Sequence, residues 1–113
     1  MLEPVLTVRF FKTQGGKEPV REWLLELPGV DRKTVGQDMK TVQFGWPLGM
    51  PLVRKLATNL WEVRVPLATR TGRVLFTVED GAMVLLHAFI KKSQATPKDD
   101  LDLAKARMKQ LRS

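Results

Sequence analysis

The side chains in this sequence that could do chemistry are mostly cations. One histidine, His87, stands in the stretch "LLHAFIKKSQATP" (Leu85–Pro97), with Lys91 and Lys92 close behind it. Imidazole is the side chain whose ordinary pKa lies nearest neutrality, so His87 can give or take a proton. Between Leu85 and Phe89 it also fits a packing role. Arg64 and Arg73 lie upstream in two further apolar stretches, "LWEVRV" and "GRVLFTVED". Fixed guanidinium and ammonium groups hold phosphates and stabilise charge that builds on phosphate oxygens. Other chemistries lack their residues. With no cysteine and one histidine there is no thiolate or imidazole set for a metal. No carboxylates are paired at acid–base spacing, and "TQGGK" lacks the spacing of a phosphate-binding P-loop. Neither a metal nor a cofactor is expected.

The charge of the whole chain points the same way. Nineteen Lys and Arg against 12 Asp and Glu give a formal net charge of +7. Such a balance favours polyanions: nucleic acid, an acidic protein partner or anionic lipid. The 113 residues fit a single domain, 1–113, with 43% hydrophobic residues for one modest core. Met1–Phe11 lacks the basic head and long apolar run of a secretory leader. The longest apolar run, Met83–Ile90, is broken by His87 and too short to span a bilayer. Together with the absence of cysteine, this fits a cytoplasmic protein with no membrane partner.

The elements that must position these cations follow from periodicity. "VLTVRFF" (Val5–Phe11) is β-branched and aromatic and predicts a first strand. Val20, Trp23, Leu24 and Leu27 recur at helical spacing after Pro19, and Pro28-Gly29 ends that helix. Asp31 can cap a second helix with Val35, Met39 and Val42 on one stripe, so that the two form a hairpin. The period then changes to two. Leu52–Leu56, Leu60–Val65, Gly72–Asp80 and Met83–Lys91 read as consecutive antiparallel strands, with turns at Asn59, Thr71-Gly72 and Asp80-Gly81, and Pro66 closing the second. A last helix opens at Thr96 as N-cap and Pro97, and packs through Leu101, Ala104, Met108 and Leu111. The fold class is α+β: an antiparallel sheet with an N-terminal helical hairpin on one face, and a C-terminal helix.

Alternation along the strands sorts the side chains. One face carries Trp61, Val63, Val65, Val74, Phe76, Val78, Val84, Leu86, Ala88 and Ile90, and is expected to pack on the helices. The other is mixed and collects Arg64, Arg73, His87 and Lys91, with Glu62 and Thr77. The expectation is a solvated cationic cluster assembled from three adjacent strands, in which Glu62 could pair with Arg64 or Arg73. Trp61 and Trp23 are expected in the core; Trp46 lies in a loop and could be exposed.

The strings "LATNLWEVRV", "GRVLFTVEDGAMVLLHAFIKKSQATP" and "LDLAKARMKQL" resemble the RelE/ParE toxin superfamily, and within it the phage-derived HigB-like toxins of type II toxin–antitoxin systems. The most specific part is "LLHAFIKKSQATP" followed by Ala104-Lys105-Ala106-Arg107. The resemblance implies a RelE-like fold and a toxin neutralised by a cognate antitoxin, usually a helix-turn-helix protein that also contacts operator DNA. It implies a ribosome-dependent mRNA endoribonuclease that works without metal, through attack of the 2′-hydroxyl on the scissile phosphate. On that reading Arg64, Arg73, His87 and Lys91 are the catalytic residues, and Arg54, Lys55, Arg70 and Lys92 are further RNA contacts. Several ribonucleases of the superfamily use a tyrosine near the scissile phosphate, and this chain has no tyrosine. The ParE-like members inhibit DNA gyrase instead, so a non-enzymatic gyrase inhibitor, or an antitoxin-binding co-repressor, stands beside the nuclease.

Overall fold

Eight elements make up the fold in a computed structural model, which describes residues 3–91 and 95–113. They are β1 (Thr7–Phe10), α1 (Pro19–Glu26), α2 (Gly29–Gly45), β2 (Val53–Ala57), β3 (Leu60–Pro66), β4 (Thr71–Glu79), β5 (Ala82–Lys91) and α3 (Lys98–Arg112). The strands form one sheet in the order β1-β5-β4-β3-β2. Strands β2 to β5 make an antiparallel meander, and β1 adds to β5 in parallel, which the sequence reading did not anticipate. Asp80 and Gly81 both have positive φ, 52° and 74°, as a two-residue hairpin turn with the sheet's own twist requires. Thr71 and Gly72 belong to β4; the turn before it is closed by Leu67 N–H donating to the Arg70 carbonyl at 2.8 Å.

The helical stripes land where their spacing put them. Val20 of α1, Leu27 just after its end, and Val35, Met39 and Val42 of α2 are buried against Val63, Val65, Val74 and Phe76 on one face of the sheet. Within this core α1 packs on β5 and β1, and α2 on β3. The expected helical hairpin is therefore not confirmed. Helix α2 begins at Gly29, with Pro28 at its N-cap position, so Asp31 sits in the first turn rather than capping it. Trp46 is not exposed either: its ring meets Trp61 edge-on at 4.9 Å and Phe76 at 5.6 Å.

The opposite face is also covered. Helix α3 lies across β5 and β4, and Leu101, Ala104, Met108 and Leu111 close over Leu60, Leu75, Val84 and Leu86. The sheet is a middle layer, and β4 is buried on both sides from Gly72 to Thr77. The register explains why Val84 and Leu86 face α3 rather than α1 and α2. Leu75 pairs with His87 but Phe76 pairs with Leu85, so β5 carries one extra residue, Leu86, at a bulge. One extra residue moves every side chain beyond it to the other face. Met83 and Leu85 consequently join the α1/α2 core. From His87 onward the expected sides hold: Ala88 pairs with Val74 and Ile90 with Gly72.

The bulge is gripped from α3. Arg107 Nη1 donates to the Leu86 carbonyl at 2.8 Å, and its guanidinium lies 5.8 Å from the centre of the Phe11 ring. Burial pulls the Arg107 pKa below the ordinary arginine value. Ala104 is fully buried one turn earlier, where a small side chain lets the helix approach the sheet. The "A-x-x-R" pattern is thus a packing device: Ala104 sets the distance and Arg107 hydrogen-bonds the Leu86 carbonyl at the bulge. Arg107→Met should lower stability by about 1.5–3 kcal/mol, the worth of a charge-assisted hydrogen bond to a partly buried carbonyl. Urea denaturation measures this, and an unchanged midpoint would mean that water replaces the guanidinium without loss.

Candidate polyanion-binding site on the sheet

On the α3 side of the sheet the charged residues form rows across the strands. Arg54, Glu62, Leu75 and His87 are successive cross-strand partners on β2, β3, β4 and β5. The next row is Arg64, Arg73 and Phe89, and the one beyond it is Pro66, Thr71 and Lys91. Two arginines directly opposite one another, Arg64 and Arg73, repel unless an anion intervenes. Glu62 supplies it, two residues from Arg64 on the same strand and diagonal to Arg73.

Glu62 and Arg73 are the two charged side chains with no exposed surface among the described residues, at 0% each. Arg73 Nη1 donates to Glu62 Oε1 at 2.6 Å. Thr96 donates its hydroxyl hydrogen to Glu62 Oε2 at 2.7 Å, and its oxygen lies 3.3 Å from Arg73 Nη1 as acceptor. The carboxylate therefore uses one oxygen for the guanidinium and the other for the hydroxyl. Thr96 ties the approach to α3 onto the sheet. By residue type Thr96 is the expected N-cap of that helix. The N-cap position is Pro97 instead, because the threonine hydroxyl is committed to Glu62.

This geometry corrects the expectation for Arg73. It shares a face with Arg64, His87 and Lys91 as expected, but it is not a solvated strand arginine. It is the buried half of an ion pair, and its truncation would cost stability. Arg64, half-buried beside it, and Arg54 and Lys91 on the same face are the cations that remain near the surface. Thr77, expected on a solvated face, is fully buried and accepts from Arg112 Nη2 at 3.2 Å.

His87 is held by α3. Its Nε2 lies 2.6 Å from Asp100 Oδ1, and its ring stacks on Phe89 with centroids 5.4 Å apart. It stands two strands from Glu62, about 10 Å at ~4.8 Å per strand. Lys55 pairs with Trp61 and so projects to the α1/α2 side of the sheet. Arg70 lies in the β3–β4 turn, 3.6 Å from Asp31 of α2. Neither joins the cluster. Lys92 lies outside the described residues. Phe89, not singled out beforehand, sits between Arg73 on one side and His87 and Lys91 along its own strand. Its signal was the same alternation that placed His87. Among the described residues no group of three or more His, Asp or Glu is arranged to hold a metal ion.

Residues 22–109 match the family model of phage-derived Gp49-like proteins (DUF891). The match spans Arg54, Glu62, Arg64, Arg73, His87, Phe89, Lys91 and Thr96. No curated protein sequence matches the chain.

Removing one partner of a buried pair leaves a charge without compensation, whereas removing both leaves an apolar contact. Glu62→Gln should therefore destabilise the protein by about 3–5 kcal/mol. The double variant Glu62→Leu with Arg73→Met should lie much nearer the wild type. Chemical denaturation of both decides it. A Glu62→Gln protein as stable as the wild type would show that the pair is not sealed from water.

Proposed function

The chain belongs to the phage-derived Gp49-like family, within the RelE-like toxin superfamily, and from that premise we propose that it is a toxin that cuts mRNA on the ribosome. The observation that carries the reading is the set of cations on the α3 side of the sheet, Arg54, Arg64 and Lys91, spread over three successive cross-strand rows around an arginine already neutralised by Glu62. Phosphates along a single strand call for separated, orientable cations.

In the reaction the 2′-oxygen of a nucleotide attacks its own 3′-phosphorus and the bond from phosphorus to the next 5′-oxygen breaks. The products are a 2′,3′-cyclic phosphate and a 5′-hydroxyl. One proton leaves the 2′-oxygen and another arrives at the 5′-oxygen, so a base and an acid are required. Negative charge grows on the non-bridging oxygens, and a planar guanidinium can meet two of them. Arg64 is the residue we assign to that role, with Arg54 and Lys91 aligning the flanking phosphates. Arg73 acts at one remove, by holding Glu62 and Thr96 and so the floor under Arg64. His87 is the imidazole of this face. Asp100 engages its Nε2, which leaves Nδ1 as the atom that would exchange a proton with substrate.

A cognate antitoxin, of helix-turn-helix type in this reading, would neutralise the toxin and bring it to operator DNA. A second reading has its own support. The superfamily arginine expected to face the phosphate, Arg73, is buried and paired, and the chain has no tyrosine. Both features favour a ParE-like inhibitor that binds gyrase without cutting anything.

Arg64→Ala should lower mRNA cleavage on programmed ribosomes by about 10²–10³-fold, taking loss of one oxyanion donor as the guide. Its stability should stay within about 0.5 kcal/mol of wild type, as for a surface substitution. Arg64→Lys should recover part of the rate. Full cleavage by Arg64→Ala removes this arginine from the mechanism. A wild-type protein that leaves mRNA intact but blocks gyrase supercoiling replaces the nuclease with the second reading.

A further inference from the structure

Strand β1 pairs with β5 from Ala82 to Leu85. Beyond Leu85 no described strand covers that edge of β5, and α1 and α3 pack on the strand from its two faces. A cavity of about 320 Å³ opens there, at the small end of the range for ligand sites. Glu22, Trp23 and Glu26 of α1, His87 of β5 and Arg107 of α3 line it. Three elements thus bring two carboxylates, an indole, an imidazole and a guanidinium to one opening. His87 belongs both to the sheet face that carries the cations and to this cavity.

The two carboxylates do not serve α1 itself. Glu22 and Glu26 lie one turn apart on the same side of the helix, and like charges at that spacing repel. Glu26 also stands at the negative end of the helix dipole, where a cation is favoured and the last turn holds none. Among the described residues neither carboxylate has an ion-pair or hydrogen-bond partner.

The mixture of groups selects the ligand. A phosphate drawn to Arg107 would meet the carboxylates, and a cationic side chain drawn to the carboxylates would meet Arg107. A neutral planar group with N–H donors on one edge and acceptors on another suits both. Among the nucleobases guanine matches most fully, because N1–H and the N2 amino group can face a carboxylate while O6 and N7 accept from a cation. Arg107 spends one of its five N–H donors on the Leu86 carbonyl and keeps others. Trp23 adds an aromatic wall of the kind on which bases stack.

We infer that this cavity is a base pocket for a guanine of the RNA strand, with Glu22 and Glu26 reading its N–H edge and Arg107 its O6 and N7 edge. The inference rests on the reading of the cationic face as an RNA site. It adds to that reading a device that selects which nucleotide comes to lie beside His87.

The probes are 2′-O-methyl pentanucleotides, which cannot be cut, with guanine, inosine or adenine at the centre of an otherwise uridine strand. Fluorescence anisotropy against the full chain should show the guanine probe binding at least about tenfold more tightly than the adenine probe, as one bidentate base contact discriminates. Inosine, which lacks the N2 amino group, should fall between them. Glu22→Ala combined with Glu26→Ala should abolish the preference and leave the adenine probe bound as tightly or more so. Its Tm should stay level or rise, because the repulsion on α1 is relieved. The indole N–H signal of Trp23 should shift with the guanine probe and stay still with the adenine probe. Equal binding of the three probes, or a guanine preference that survives in the double variant, overturns the base pocket and leaves the RNA-binding face standing. Binding of none of the probes removes that face and the pocket with it.

Discussion

The contact between Glu62, Arg73 and Thr96 sets the terms for the rest of this molecule. Burying two opposite charges costs several kcal/mol per ion in lost hydration, and the attraction between them recovers that only with good geometry. Here one carboxylate oxygen meets the guanidinium at 2.6 Å and the other takes a hydroxyl at 2.7 Å. The bond to Thr96 makes the ion pair a structural joint. It anchors the start of the C-terminal segment on the sheet, and α3 follows directly from Lys98. Arg54 and Arg64 stand around a pair whose charges already cancel, so Glu62 is not free to neutralise them.

Helix α3 is the second half of the same arrangement. It is fixed to the sheet by polar contacts along its length: Asp100 to His87, Arg107 to the Leu86 carbonyl, and Arg112 to Thr77 and Glu79. Between them Leu101, Ala104, Met108 and Leu111 fill the space over Leu60 and Leu75. Polar groups on an otherwise apolar seam specify one register for the helix, since a shift by one turn would strand each of them. The cost is that His87 and Thr77, polar residues on a sheet face, are drawn into structural bonds. The acidic start and basic end of α3 suit the helix dipole and at the same time supply the partners for His87 and Thr77.

Much of this was legible in the sequence. The stripes Val35–Met39–Val42 and Leu101–Ala104–Met108–Leu111 bury the faces that their spacing indicates, because helical periodicity is a local property. The alternation of Trp61, Val63 and Val65 against Glu62 and Arg64 held for the same reason. The reading failed where a tertiary contact overrides local order. Val84 and Leu86 changed sides at a bulge whose carbonyl is satisfied by Arg107, 21 residues away. Thr96 has the chemistry of a helix cap, but Glu62 lies 34 residues upstream and takes its hydroxyl. Arg73 was placed on the right face and given the wrong exposure, because alternation reports direction and says nothing of what lies above. The continuous apolar runs "VLF" and "MVLL" were the available sign that β4 and β5 are covered on both faces. Lys55 and Arg70 show the converse, since nearness in sequence to Arg54 and Arg73 did not bring them to the same side.

The central claim is a division of labour among arginines, with Arg73 sealed as a strut and Arg64 and Arg54 free to meet phosphate. The side-chain N–H signals of ¹⁵N-labelled protein test it directly during titration with a single-stranded RNA oligonucleotide. The account predicts slow solvent exchange at Arg73 and no shift on adding RNA, with fast exchange and progressive shifts at Arg64 and Arg54. Fast exchange at Arg73, or a shift there that leads those of Arg64 and Arg54, would contradict it.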